Sequence, residues 1–328
     1  MINKKIIILF KILDCTVKLG KLFTFGFMQT TKGILLFLIF SMYCSCSFNK
    51  KVVMNKKSTV EFQGHRGCRG LMPENTIPAF IKALEYVQIL ELDVVVSKDN
   101  KIIVSHDPWM EASICSHPDG RVVTEMEEKE LRLLDMNYID IKTFDCGKRG
   151  NKKFPSQQKL PAYKPSLIDM VAAVDKHCQD HDIPLPYYDI EIKSQQKWYD
   201  KYTPQPEAYV KLILAELHML GIEHRCNLQS FDINILEEVH KQDPKIIQAY
   251  LIENLHSFDK NMNALSFTPD IYSPYYKFVT QNLADKVHQR GMKLIPWTVN
   301  EIKDMKKMIE NGVDGIITDY PDRVELIR

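Results

Sequence analysis

From Val60 to the C-terminus, short β-branched runs alternate with amphipathic stretches over about 270 residues, and that alternation leaves few folds open. Strand signals fall at 60–64, 89–96, 101–106, 185–193, 227–230, 246–251, 270–273, 294–298 and 315–318. Helical patterns fall between most of them, at 74–86, 166–180, 206–220, 233–241, 280–290 and 301–311, and Gly221, Gly291 and Gly312 sit where helices should stop. Repeated strand–helix units imply a parallel sheet. About eight strands without a dinucleotide-type glycine loop favour an α/β TIM-like (β/α)8 barrel over a doubly wound sheet. Residues 108–165 break the rhythm: they are polar, carry Cys115 and Cys146, and show one helical hint at 124–134. They read as an insertion at the barrel mouth, where loops shape pockets.

The formal net charge of +1 hides an asymmetry. Residues 1–60 hold ten lysines and a single acid, Asp14, whereas the remainder holds 33 basic and 41 acidic residues. So acidic a domain is a poor candidate for gripping nucleic acid, and an anionic substrate must be met by a local metal or cation. Near the N-terminus, Lys32 precedes the apolar run Ile34–Phe40, which is followed by Ser41-Met42-Tyr43-Cys44-Ser45-Cys46. That run fits a signal h-region and falls short of the ~20 apolar residues that span a bilayer. Ending in cysteine, it resembles a bacterial lipoprotein signal, although Tyr43 departs from the usual box. The expectation is an exported, periplasmic or cell-surface protein with a lipid anchor at Cys46, Cys44 being the second choice and Met28 an alternative start. Residues 1–46 are then the export segment, 47–59 a linker and 60–328 the barrel domain.

Five cysteines lie beyond the signal, and none forms a C-x-x-C pair, which speaks against a thiolate zinc site. A Cys115–Cys146 bridge across the insertion is one option. Small buried thiols are the expectation.

The polar residues set into these strands carry the chemistry. Side chains alternate along a strand, so Glu91 and Asp93 share a face. With the hairpin turn centred between Asp99 and Asn100, residue i pairs with residue 199 − i, which sets His106 opposite Asp93. The same parity puts Asp189, Glu191 and Lys193 on one side of a later strand. Two carboxylates that close either share a proton or bind a cation. An all-oxygen set of Glu91, Asp93 and Glu191 suits one divalent cation, Mg²⁺ or Ca²⁺. His65 and His106 then serve as acid and base at a phosphodiester, and Arg66 and Lys193 as clamps for its oxygens.

Gly64-His65-Arg66-Gly67, Pro73-Glu74-Asn75-Thr76, Glu91-Leu92-Asp93-Val94, Ser105-His106-Asp107 and Glu191-Ile192-Lys193 together resemble the glycerophosphodiester phosphodiesterase family. Pro296–Asn300 and Gly312–Pro321 extend the likeness, which covers about residues 60–327. The resemblance implies a TIM-like barrel that hydrolyses glycerophosphodiesters to glycerol 3-phosphate and an alcohol. It implies His65 and His106 as the catalytic pair, Glu91, Asp93 and Glu191 as metal ligands, Arg66 and Lys193 near the phosphate, and Trp297 as a rim aromatic. Glu74 and Asn75 are expected to start a helix and brace its loop, and Phe231 to lie in the core. Two alternatives stay open: a phospholipase C- or D-like enzyme acting on lysolipids or inositol lipids, and a lipoprotein that binds phosphorylated polyols without turnover. The first would need an apolar trough, for which the insertion offers Trp109, Met110, Ile114, Phe144 and Phe154.

Overall fold

The computed structural model describes residues 60–327, so the export segment and linker expected within 1–59 lie outside the described residues. Eight parallel strands form the wall: β1 (Glu61–Gly64), β2 (Ile89–Val96), β4 (Tyr187–Ile192), β5 (Cys226–Ser230), β6 (Ile247–Ile252), β7 (Ile271–Pro274), β8 (Lys293–Leu294) and β9 (Gly315–Thr318). They neighbour one another in the order β8-β7-β6-β5-β4-β2-β1-β9, and β3 (Ile102–Val104) pairs antiparallel with β2. Backbone bonds from Asp314 to Leu294 (2.9 Å), Ile317 to Pro296 (3.0 Å) and Val299 to Ile317 (2.9 Å) bring the two ends together. The result is a nearly closed barrel, as the strand–helix alternation implies.

Regular pairing of β8 stops at Leu294, because the chain then passes through Pro296, which lacks an amide hydrogen. The outer helices bury one apolar stripe each. Helix α3 (Leu167–Asp180) turns Leu167, Met170, Val171, Val174 and Cys178 inward and is capped by the Ser166 hydroxyl, which accepts from Asp169 N–H at 3.1 Å. Helix α1 is shorter than its pattern, Ile77–Ala83, because Thr76 rather than a residue near Pro73 caps it. Glu74 therefore falls before the helix and is free to point elsewhere.

The barrel lumen is divided. Gln63, Glu91, Asp189, Asn227 and Gln229 fill the side made by β1 to β5 and are all buried. Ala249, Ile271, Ile295 and Ile317 form a separate apolar cluster on the side made by β6 to β9.

The hairpin departs from its expected register. Val94 pairs with Val104 and Val96 with Ile102, so partners follow 198 − i, and Ser105 N–H, not His106, bonds Asp93 O at 2.9 Å. The loop holds three residues, Lys98, Asp99 and Asn100, with Asn100 at φ 57°, so the turn is one residue longer than the two-residue form. His106 reaches the barrel mouth because regular pairing ends at Val104.

Residues 108–165 fold as a compact cap with its own core of Met110, Ile114, Cys115, Leu133, Ile141, Phe144 and Cys146, which packs on Val95 and Ile103 of the hairpin, on the strand face that Glu91 and Asp93 share. The helical hint resolves into two 3-10 turns, Glu128–Glu130 and Leu133–Asp135, and a short helix α2 spans Tyr138–Ile141. Cys115 and Cys146 form a disulfide, which corrects the expectation of free thiols; Cys68, Cys178 and Cys226 are free and buried. The cap is tied to the barrel by Gln157 Nε2 donating to Arg69 O (2.7 Å) and Gln158 N–H to Leu71 O (2.8 Å).

The Gly64–Gly67 turn sets the chemistry's starting geometry. Gly67 holds φ +80°, and a Cβ there would come within 2.7 Å of the Ala79 backbone. Gly67→Ala is expected to lower the unfolding free energy by about 2–4 kcal/mol, from backbone strain plus overpacking. Urea titration checks this, and an unchanged midpoint would show that the turn relaxes.

Candidate active site

Strand ends on one face of the barrel deliver the polar residues to a cavity of about 590 Å³. His65, Arg66, Glu91, His106, Glu191, Lys193 and Trp297 line it, and Asp93 is fully buried at its floor. The parallel register explains the floor: Asp93 lies beside Glu191, and Glu91 beside Asp189. Ligand oxygens of Glu91, Asp93 and Glu191 all fall within 4.8 Å of one another.

Each carboxylate is held by different means. Glu91 accepts from Arg66 N–H (2.8 Å) and from Gln229 Nε2 (3.1 Å). Asp93 Oδ2 accepts from Asn75 Nδ2 (2.8 Å), and Arg66 Nε lies 3.2 Å away as an ion pair rather than a directed hydrogen bond. Asp93 Oδ1 has no hydrogen-bond partner although it is buried, with Lys193 Nζ 3.7 Å off. Glu191 pairs with Lys193 at 2.7 Å. An orphaned buried oxygen amid an all-carboxylate donor set fits a hard divalent cation.

The electrostatics follow. Burial and the charges of Asp93, Asp189 and Glu191 push Glu91 well above the usual carboxylate range. Burial pushes Glu191 up to about 7, with Asp93 adding to the rise and Lys193 opposing it. Burial would raise Asp93 too, but Arg66, then His106 and Lys193, hold it well below its ordinary value. Burial and the Arg69 charge lower His65 to about 4, against the pull of Asp319. Burial, Arg66 and Lys193 lower His106 to about 3. Both imidazoles are therefore neutral at pH 7 in the cation-free protein, which is the form that accepts a proton.

Several residues join the site that sequence reasoning left out or placed elsewhere. Asp319 Oδ1 sits 2.6 Å from His65 Nδ1, and Asp319 is itself gripped by Arg69 Nε (2.9 Å) and Asn300 Nδ2 (2.7 Å). This leaves His65 Nε2 facing the cavity side, 3.9 Å from Glu91. A carboxylate at the C-terminal end of the last barrel strand was the signal available for Asp319. Gln229 stands beside Glu191 in the β4–β5 register, a parity that the strand pattern contains. Glu74 and Asn75 do more than brace a helix: Glu74 pairs with the Arg66 guanidinium, and Asn75, at φ 55°, reaches Asp93. Phe231 lines the cavity against Trp297, with ring centroids 5.3 Å apart, instead of entering the core. Asp189 shares the face of Glu191 but lies one step deeper, accepting from Asn227 Nδ2 at 2.6 Å.

Fold and site together define the class: an α/β-barrel hydrolase with its chemistry at the C-terminal ends of the strands. The family follows from comparison with known proteins. The chain belongs to the glycerophosphoryl diester phosphodiesterase family, whose profile matches residues 65–323. A glycerophosphodiester phosphodiesterase of Caldanaerobacter subterraneus subsp. tengcongensis is 31% identical over 273 residues, covering 80% of this chain and 96% of that one. A human lysophospholipase D is 23% identical over 283 residues, covering 79% and 83%. The crystal structure of a Silicibacter pomeroyi DSS-3 relative bearing the same family name superposes with a TM-score of 0.73 at 29% identity, covering 82% of this chain and 93% of that one.

Asp319→Asn keeps the size of the group but withdraws the charge that orients His65. It should lower kcat by about 10²–10⁴ at pH 7, the range for mispositioning an acid–base imidazole. Steady-state turnover measures this, and a change below threefold would remove Asp319 from the site's machinery.

Proposed function

We propose that this chain hydrolyses glycerophosphodiesters to sn-glycerol 3-phosphate and an alcohol, with His65 and His106 as general acid and base. One divalent cation, Mg²⁺ or Ca²⁺, is held by Glu91, Asp93 and Glu191. The observation that carries the reading is the meeting of two neutral imidazoles with three crowded carboxylates in one cavity. When bound, the cation polarises phosphoryl oxygens and lowers the pKa of an attacking hydroxyl or water.

The protein's own groups divide the remaining work. Arg66 and Lys193 neutralise the floor carboxylates and present N–H groups toward a phosphate's non-bridging oxygens. A bound phosphodiester anion raises both imidazoles from their depressed values, because its charge favours imidazolium. One neutral imidazole then takes the nucleophile's proton while the other, protonated, gives a proton to the leaving alkoxide. Asp319 stabilises the imidazolium of His65 at 2.6 Å. The apolar side chains that left a lysolipid substrate open are committed elsewhere: Met110, Ile114 and Phe144 are buried in the cap's core. Phe154 packs on Tyr320, and Trp109 on Trp198 and Tyr202. These contacts favour a soluble diester over a lysolipid.

The reading includes export with lipidation at Cys46, on the strength of the apolar run that ends in Ser45-Cys46. A Cys46→Ala chain should move from the membrane to the soluble fraction of bacterial cells, and retention by this variant with loss by Cys44→Ala would move the anchor to Cys44.

Glycerophosphocholine with Mg²⁺ or Ca²⁺ should yield glycerol 3-phosphate, and His65→Ala or His106→Ala should reduce turnover by at least about 10². Release of phosphocholine instead would overturn the assigned bond. Cation affinity should also depend on pH. Glu191 titrates near 7 in the cation-free site, so at pH 6 a proton must be displaced and at pH 8 it need not be. Affinity should therefore rise roughly fivefold from pH 6 to 7 and flatten above 8, as read by calorimetry; a flat profile would remove Glu191 from the ligand set.

A further inference from the structure

A buried cation outside the cavity takes no part in the reaction proposed above. Lys164 stands at the end of the cap, is 5% exposed, and does not line the cavity. An ammonium this deep costs stability unless it is paired and hydrogen-bonded. Its Nζ donates to Ser105 Oγ at 2.8 Å and meets Glu111 Oε2 at 3.4 Å. Ser105 is fully buried, and its hydroxyl passes the contact on, donating to Asp107 O at 2.7 Å. Lys164 thus grips both chain neighbours of His106.

The backbone repeats the connection. Val104 N–H donates to Pro165 O at 2.8 Å, and Ile103 bridges Ser166, so the chain leaving the cap runs antiparallel along β3. Regular pairing of β3 with β2 ends at Val104, and the side chain of Lys164 takes over where that ladder stops. His106 needs such support. Its Nδ1 lies 3.1 Å from Asp107 Oδ1, and in the neutral ring Nδ1–H is the donor, which leaves the Nε2 lone pair for a proton. Both partners are partly exposed and adjacent in sequence, so their bond lasts only while the backbone at Asp107 holds its place. His106, Asp107 and Glu111 also bring ligand atoms within 4.8 Å of one another, but Lys164 already meets Glu111 and opposes a cation there.

We propose that Lys164 is a positioning residue for His106, acting through Ser105 and Asp107 to fix the tautomer and direction of the imidazole. This rests on His106 as an acid–base group of the reaction proposed above, and it gives the cap a part in bond cleavage.

The test uses the full-length chain, with glycerophosphocholine and a divalent cation for turnover. Lys164→Met should lower kcat by about 10- to 100-fold, the cost of a slightly misplaced acid–base group, with KM within about twofold. Ser105→Ala should do the same while leaving the Lys164–Glu111 pair intact, so it carries the test if Lys164→Met does not fold. In the double variant the loss should not exceed that of the worse single one, because both cut one path. Unchanged kcat in either variant, or losses that multiply in the double one, would overturn the assignment. Imidazole nitrogen NMR separates this from failure of the reaction itself. In the unaltered protein, the signal that His106→Ala removes should show the Nδ1-protonated form. Ser105→Ala should shift it toward a mixture of tautomers while the His65 signal holds. That shift supports positioning even if no diester is cleaved, and an unmoved His106 signal overturns it.

Discussion

The close approach of Glu91, Asp93 and Glu191 at the barrel floor is the constraint around which the rest is arranged. Three buried carboxylates whose oxygens lie within 4.8 Å repel one another strongly in a medium that screens poorly. The protein answers with Arg66 and Lys193, with the Arg66 amide and Gln229 on Glu91, and with Asn75 on Asp93. These supports leave Asp93 Oδ1 unsatisfied and Glu91 and Glu191 raised. A floor so incompletely balanced is matched to a further positive charge. Arg66 and Lys193, just past the ends of β1 and β4, each touch the floor carboxylates and line the cavity at once.

Most of this was legible before any coordinates, for a physical reason. Strand parity is a local property, so Glu91 and Asp93 on β2, and Glu191 with Lys193 at the end of β4, had to share a face wherever those strands went. The barrel followed from the strand–helix rhythm, and a parallel register then brought Asp93 beside Glu191. The hairpin is instructive in the other direction. A turn one residue longer than expected changes the partner of Asp93 from His106 to Ser105, and a one-residue slip reverses which face a side chain occupies. His106 still reaches the cavity because it lies past the paired segment, where strand parity no longer governs it.

What escaped the sequence shares one trait: it depends on contacts between segments far apart along the chain. Asp319 meets His65 across 254 positions, and Gln229 meets Glu91 across 138. No periodicity reports such meetings. Glu74 was misplaced because acidic residues near a proline look like a helix start, whereas Thr76 supplies the cap and frees Glu74 for Arg66. The Cys115–Cys146 bridge stood second to buried thiols because an odd number of cysteines argues against a full framework and says nothing about one local pair.

The cap shows how a single insertion can alter the pocket without touching its floor. Its core is independent of the barrel's main core and rests on Val95 and Ile103, which lie on the strand face that Glu91 and Asp93 share, in the hairpin that leads to His106. Val94, Val96, Ile102 and Val104 on the opposite face join the barrel's main core, so a single strand face carries the floor carboxylates and, further along, the cap. Trp109 then carries the cap's position to Trp198 on the loop after β4, while Gln157 ties it to Arg69, whose guanidinium holds Asp319. Sequence drift within residues 108–165 can therefore move the aromatic side of the mouth through Trp109, while the carboxylate floor, fixed by the β2–β4 register, stays in place. The carboxylate floor and the aromatic side of the mouth thus belong to different parts of the fold, because one is set by strands and the other by loops.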